Sequence, residues 1–120
     1  MPNIAAVSIY VDDMEKAIAF YSNILGFAVK DRPVPFITEL AHDGVALILC
    51  QAERPTRNDY PNASSVVIGI ATDNVAARAQ ELSRKKVDVI TSTPQDFPGG
   101  KFIALRDPAG NVVELLEFAA

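Results

Sequence analysis

Tryptophan is absent from this chain, cysteine and histidine occur once each, and aromatic residues make up 8% of it. The single cysteine, Cys50, excludes an internal disulfide and any Cys-x-x-Cys metal or redox pair. It sits in the apolar run 45–50, where a buried structural thiol is expected, because reactive cysteines need an electropositive, partly exposed setting. The lone histidine, His42, stands beside the Asp43-Gly44 pair, which marks it as an exposed turn residue. Basic excess is also lacking: 11 Lys and Arg stand against 15 Asp and Glu, giving a net charge of -4. Phosphate-backbone affinity rests on clustered cations, and the only dense basic run, Arg84-Lys85-Lys86, falls at a helix end where cations complement the helix dipole. Nucleic acid is therefore not an expected partner. No apolar run approaches the roughly 20 residues that span a bilayer, and the first residues lack the basic, apolar and small-residue order of a signal peptide. The expectation is no membrane partner and a cytoplasmic location.

What is present is a chain of 120 residues, 49% hydrophobic, enough for one real core, so residues 1–120 are expected to form a single domain. Residues 4–11 are β-rich, with Val7, Ile9 and Val11 alternating with Ser8 and Tyr10. Asp12, followed three residues later by Glu15, reads as a helix N-cap; Met14, Ala17, Ile18, Tyr21, Ile24 and Leu25 then recur at helical spacing, and Gly26 supplies the stop. Three short strands follow, at 27–30, 36–40 and 45–51. Residues 53–64 are polar, carry Pro55 and Pro61, and lack periodicity, as in a linker or long functional loop that also holds Arg54, Arg57 and Tyr60.

The pattern then restarts. A strand at 65–71, a helix at 74–86 capped by Asp73, a strand at 87–90, and strands at 101–106 and 111–118 repeat the first half. Adding sixty to a residue number takes Val7 to Val67, Ala17 to Ala77 and Phe27 to Val87; adding sixty-six takes Phe36 to Phe102, Gly44 to Gly110 and Leu49 to Leu115. Two tandem βαβββ modules, at about 1–60 and 61–120, explain both registers, with a six-residue insertion around 91–100. The expected class is α+β, with a curved mixed or antiparallel sheet, helices on its outer face, and a concave inner face for a ligand.

Residues 11–27, VDDMEKAIAFYSNILGF, and residues 102–115, FIALRDPAGNVVEL, resemble the opening and closing signatures of the vicinal oxygen chelate superfamily, which includes glyoxalases, bleomycin-resistance proteins and dioxygenases. Most of these residues have structural roles. Phe20, Tyr21, Leu25 and Phe27 suit helix-sheet packing, and Asp107-Pro108-Ala109-Gly110 reads as a hairpin turn. In metal-dependent members four inward side chains, usually His or Glu, hold the cation. The resemblance carries those positions onto Ala6, Ile48 (or Leu49 with a one-residue slip), Val67 and Glu114, of which only Glu114 is metal-competent. One carboxylate does not hold a catalytic ion, which ordinarily takes about three protein ligands. No cofactor is expected, and a divalent metal is disfavoured.

Strand alternation aims Glu114 into the concave face with Val112 and Leu116, as a polar anchor or general base, or alternatively as a structural partner of Arg106. Ser8 and Tyr10 share a face with Ala6 and offer hydroxyls; Phe102 and Arg106 complete the ligand-binding set. Glu114 is the best catalytic candidate. Three functions compete: a metal-independent small-molecule binder of bleomycin-resistance type; a glyoxalase or lyase-type enzyme working through Glu114, with or without a metal; and a dimeric structural or regulatory partner whose cavity is filled. The resemblance, and the sheet edges and apolar faces of such modules, imply a homodimer.

Overall fold

The computed structural model describes residues 1–120 as two compact units, Met1–Thr56 and Arg57–Ala120. The first is built from β1 (Ala6–Val11), α1 (Met14–Ala19), β2 (Ala28–Val34), β3 (Ile37–Ala41) and β4 (Ala46–Gln51). The second contains β5 (Ile68–Ala71), α2 (Val75–Arg84), β6 (Asp88–Val89), β7 (Gln95–Phe97), β8 (Gly100–Arg106) and β9 (Val112–Phe118). Each unit carries its own mixed sheet. The first has strand order β1-β4-β3-β2, the second β5-β9-β8-β6 with β7 paired to β8. In both units the first strand lies parallel to the last, β1 on β4 and β5 on β9, while the remaining pairs are antiparallel. The tandem βαβββ organisation is thus realised as two sheets, one per module. The insertion read at 91–100 is not all loop: β7 forms there and adds a strand to the second sheet.

Each helix covers one face of its own sheet. In the first unit Ile9, Val11, Leu40, Leu47 and Leu49 are buried with Met14 and Ala17, and Thr38, fully buried, donates its hydroxyl to Met14 Sδ at 3.4 Å. In the second, Val75, Ala79 and Leu82 of α2 are buried, as are Ile103, Leu105, Val113 and Leu115. Removing these side chains from water is the main favourable contribution, at about 25 cal/mol per Å² of apolar surface.

Both helix starts differ by one residue from the sequence expectation. Asp13, not Asp12, caps α1, its Oδ1 accepting from Lys16 N at 3.0 Å; Asn74, not Asp73, caps α2, its Oδ1 accepting from Ala77 N at 3.0 Å. The reason is burial: Met14 and Val75, at 4% and 1% exposure, are the first helical residues, and turning them inward fixes the cap immediately before them. The free N–H of Val75 is taken up by Glu117 Oε1 of β9 at 2.9 Å.

After α1 the chain continues as a π-helical turn, Phe20–Ile24, and stops where Phe27 N bonds Tyr21 O, with Gly26 at φ 91°. The second module stops the same way with Lys86 at φ 61° in the place of Gly26, where a side chain opposes the left-handed conformation.

Candidate functional site

Strand alternation decides which side chains of the second sheet face away from α2. Val113 and Leu115, at 1% and 2% exposure, point into the helix-covered core, as does Glu117, which caps α2. Val112, Glu114, Leu116 and Phe118 therefore occupy the helix-free face. Register places Arg106 opposite Val112, Ala104 opposite Glu114 and Phe102 opposite Leu116. Three of the sequence-derived candidates, Phe102, Arg106 and Glu114, thus share one face and flank one another. The parallel partner of Glu114 on β5 is Gly69, where a Cβ would come within 2.8 Å of Leu116 Cδ1, so glycine leaves that side chain its room.

Glu114 is engaged by a residue the strand pattern does not reveal. The Tyr60 hydroxyl donates to Glu114 Oε2 at 2.5 Å. Arg106, the alternative partner read from sequence, is directed elsewhere: Nη2 donates to Asn58 O at 2.8 Å, Nη1 to Gly110 O at 3.1 Å, and Nε lies 3.9 Å from Asp88 Oδ2. Arg106 therefore anchors the polar segment through its backbone, while Glu114 anchors it through a phenol. The Tyr60 phenol is pushed above its ordinary value by burial first, then by its hydrogen bond to Glu114 and the repulsion of that carboxylate for a phenolate.

At the far end of the same face three rings pack edge to face. Phe97 of β7 lies 6.2 Å from Phe102 and 5.8 Å from Phe118, centroid to centroid. Half-buried Phe102, level with Leu116, and exposed Phe118 give the face an aromatic end two to four residues along β9 from its carboxylate. The Asp107 turn keeps β8 and β9 in register. Asp107 Oδ1 accepts from Ala109 N at 2.9 Å and Asn111 N at 2.8 Å, Oδ2 accepts from Asn111 Nδ2 at 3.0 Å, and Gly110 adopts φ 93°. The hairpin read from Asp107-Pro108-Ala109-Gly110 is formed as expected.

Ser8 and Tyr10 stand in the first unit, on the helix-free face of its sheet, opposite Ile48 and Cys50 of β4. Tyr10 is 60% exposed. The same register resolves the one-residue slip, since Ile48 shares the face of Ala6 and Ser8 while Leu49 is fully buried on the helix side. Cys50 is half-buried on that face, so the fully buried thiol expected from its apolar run is not what the strand provides. His42 is exposed, with its Nε2 2.5 Å from Val45 O and its ring 5.8 Å from that of Phe27.

The residues do not fit a divalent metal held in the manner of the metal-dependent relatives. Ala6, Ile48 and Val67 offer no side-chain donor atoms, which leaves Glu114 alone among the four, and no three His, Cys, Asp or Glu side chains come together.

Comparison with known proteins agrees with this architecture. The family model described as "Glyoxalase/Bleomycin resistance protein/Dioxygenase superfamily" matches residues 3–115. The chain is 31% identical to mitochondrial methylmalonyl-CoA epimerase of Homo sapiens, with 91% of this chain and 70% of that protein covered. Among solved structures it superposes on TnmS3, an antibiotic binding protein from Streptomyces sp. CB03234, with TM-score 0.73 and 27% identity over 99% of this chain and 98% of the other. It also superposes on lactoylglutathione lyase from Agrobacterium tumefaciens, with TM-score 0.72 and 23% identity over 96% and 92% of the two chains, a likeness of fold alone.

Proposed function

This chain belongs to the glyoxalase/bleomycin resistance protein/dioxygenase superfamily, and from that premise we propose that it binds a small molecule without a metal, on the helix-free face of its second sheet. The observation that carries this reading is the Glu114–Tyr60 hydrogen bond, which places a polar pair, beside the carbonyl-bound Arg106, on a sheet face otherwise lined by Val112, Leu116, Ala104 and Phe102. Ligand seats of this kind are largely apolar with a few polar groups that fix orientation. Glu114 supplies the acceptor and the Phe97, Phe102 and Phe118 rings supply an apolar wall, an arrangement suited to an amphipathic molecule with a hydrogen-bond donor at one end. The likeness to an antibiotic binding protein supports the same reading.

The test is a thermal-shift screen of amphipathic aromatic amines and phenols, with hits titrated calorimetrically into wild type and Glu114→Gln. Removing the charge while keeping an acceptor costs about 1 kcal/mol for a neutral donor and more for a cationic amine, so affinity falls about fivefold or more while the fold is kept. Unchanged affinity alongside a clear loss of stability assigns Glu114 a structural role and removes the anchor.

A second reading is favoured by the likeness to an epimerase: Glu114 acts as a general base on a bound substrate, with Tyr60 as its proton-bearing neighbour. Turnover lost in Glu114→Gln with substrate binding retained separates catalysis from binding. The assembly that accompanies either reading is a homodimer, supported by the half-exposed apolar face of Ile37, Ile48 and Tyr10 in the first unit. A sedimenting mass of one 12.9 kDa chain at micromolar concentration contradicts it.

A further inference from the structure

Residues 58–60 lie against the second sheet through two side-chain hydrogen bonds, Arg106 to the Asn58 carbonyl and the Tyr60 hydroxyl to Glu114. Arg106 and Glu114 stand on the same face because Arg106 is paired with Val112, two residues before Glu114. The carboxylate that β9 presents on this face is therefore already occupied by a phenol that belongs to the chain itself. Nothing from residue 52 to residue 67 is part of a strand, so no ladder fastens this segment, and segments of that kind open at lower free energy than the strands they cover.

We propose that Tyr60 is a built-in occupant of the Glu114 seat, a tethered phenol that a ligand bearing an aromatic hydroxyl displaces. The proposal rests on the reading of this face as a ligand seat and names the class of ligand it takes. The chemistry selects that class by what each exchange leaves behind. An aromatic hydroxyl that replaces the Tyr60 hydroxyl restores the same hydrogen bond to the same acceptor. A purely apolar ligand leaves the carboxylate without its donor, and an anionic ligand brings a second negative charge against it. The tether also sets the affinity. A group tethered in the same chain competes at an effective concentration on the order of millimolar or higher, so a free phenol meets a closed seat in the native chain and an open one when the tethered phenol is removed.

The experiment titrates p-cresol, and toluene as its counterpart without the hydroxyl, into wild type, Tyr60→Ala and Tyr60→Ala/Glu114→Gln, followed by amide chemical shifts of β8 and β9. Expected is p-cresol binding to Tyr60→Ala at least about tenfold tighter than to wild type, with toluene not sharing the gain and Glu114→Gln cutting it by about fivefold, the share that the charge adds to the hydrogen bond. Equal affinity of wild type and Tyr60→Ala overturns the proposal. So does a gain shared by toluene or indifferent to Glu114→Gln, either of which describes a mere hole. Should Tyr60→Ala fail to fold, Tyr60→Phe keeps the ring and removes only the donor. Hydrogen exchange at residues 57–63 then rises while that of β9 does not; unchanged exchange at 57–63 overturns the strap. Failure of the underlying site reading is told apart by the Glu114→Gln ligand titration: if screened ligands lose affinity there while p-cresol gains nothing in Tyr60→Ala, the strap falls and the site stands.

Discussion

The Tyr60 hydroxyl donates to Glu114 Oε2 across 54 residues of sequence, joining the polar segment of the second unit to the middle of its last strand. The bond needs two independent placements. Strand alternation turns Glu114 away from α2, and Arg106, by donating to Asn58 O, brings the chain two residues ahead of Tyr60 over the same face. Loss of either side chain therefore affects the position of the other.

A double-mutant cycle measures that dependence. Tyr60→Phe removes the donor, Glu114→Gln removes the charge but keeps an acceptor, and Glu114→Ala removes the acceptor. Denaturant melts are expected to show a Tyr60/Glu114 coupling of about 1–2 kcal/mol for the Phe and Ala pair, within the range for groups in one hydrogen-bond network. Glu114→Gln alone costs about 1 kcal/mol, the difference between charge-assisted and neutral hydrogen bonds. Zero coupling denies the bond any part in stability.

Divalent cations are expected to leave the melting temperature where it is. A ligand that binds only the folded state stabilises by RT ln(1 + [L]/Kd), and three of the four positions onto which the family resemblance carries the metal ligands are Ala6, Ile48 and Val67. A rise of several degrees with one equivalent of nickel, zinc or manganese, reversed by chelator, contradicts the donor count.

The repeated module was legible because it rests on periodicity. Val113 and Leu115 alternate with Glu114 in the sequence as they do in burial, so the face of Glu114 followed from counting. The Asp107 turn was equally legible, since proline and glycine restrict backbone conformation locally. The partner of Glu114 was not. Tyr60 lies in an aperiodic stretch, where the sequence marks a loop but carries no information on where that loop lands. Strand β7 escaped for a related reason: Gln95-Asp96-Phe97 is too short and polar to alternate, and it becomes a strand only because β8 offers it an edge. The helix caps were each misplaced by one residue, because neighbouring acidic or amide side chains compete for the cap and tertiary burial of Met14 and Val75 decides between them.

The left-handed residues that end the two helices give a prediction of opposite sign at matched positions. Lys86 at φ 61° bears a strain that Gly26 at φ 91° avoids. An L side chain in this conformation costs roughly 1–2 kcal/mol, offset in part by the greater freedom glycine has when unfolded, so Lys86→Gly is expected to stabilise by about 0.5–1 kcal/mol. Gly26→Ala should destabilise by a similar amount, without a clash, because nothing else lies within 4 Å of the added Cβ. Chemical denaturation of the two variants checks both signs. Asn74→Ala, which deprives Ala77 N of its acceptor, is expected to cost about 1 kcal/mol, and Asp73→Ala little.

The alkaline limb of stability should report Tyr60. Its folded pKa is raised above the ordinary phenol value of about 10, by burial first and by Glu114 second. Below about pH 10 the phenol is neutral in both folded and unfolded chains, and its contribution is complete. As pH rises past that value the unfolded chain releases the proton first, the folded state binds more protons than the unfolded one, and stability declines with further rise in pH. Unfolding free energy measured across that range is expected to fall more steeply in wild type than in Tyr60→Phe. The ionisation itself is visible in ultraviolet tyrosinate absorbance. The chain has three tyrosines, Tyr10, Tyr21 and Tyr60, so the difference between the wild-type and Tyr60→Phe titrations isolates the one in question. Its midpoint should lie above that of the unfolded chain, and Glu114→Gln should lower it without restoring the unfolded value, because burial outranks the carboxylate as a cause. A difference curve centred on the unfolded midpoint means that water reaches the phenol freely in solution, and that the hydrogen bond to Glu114 is not held there.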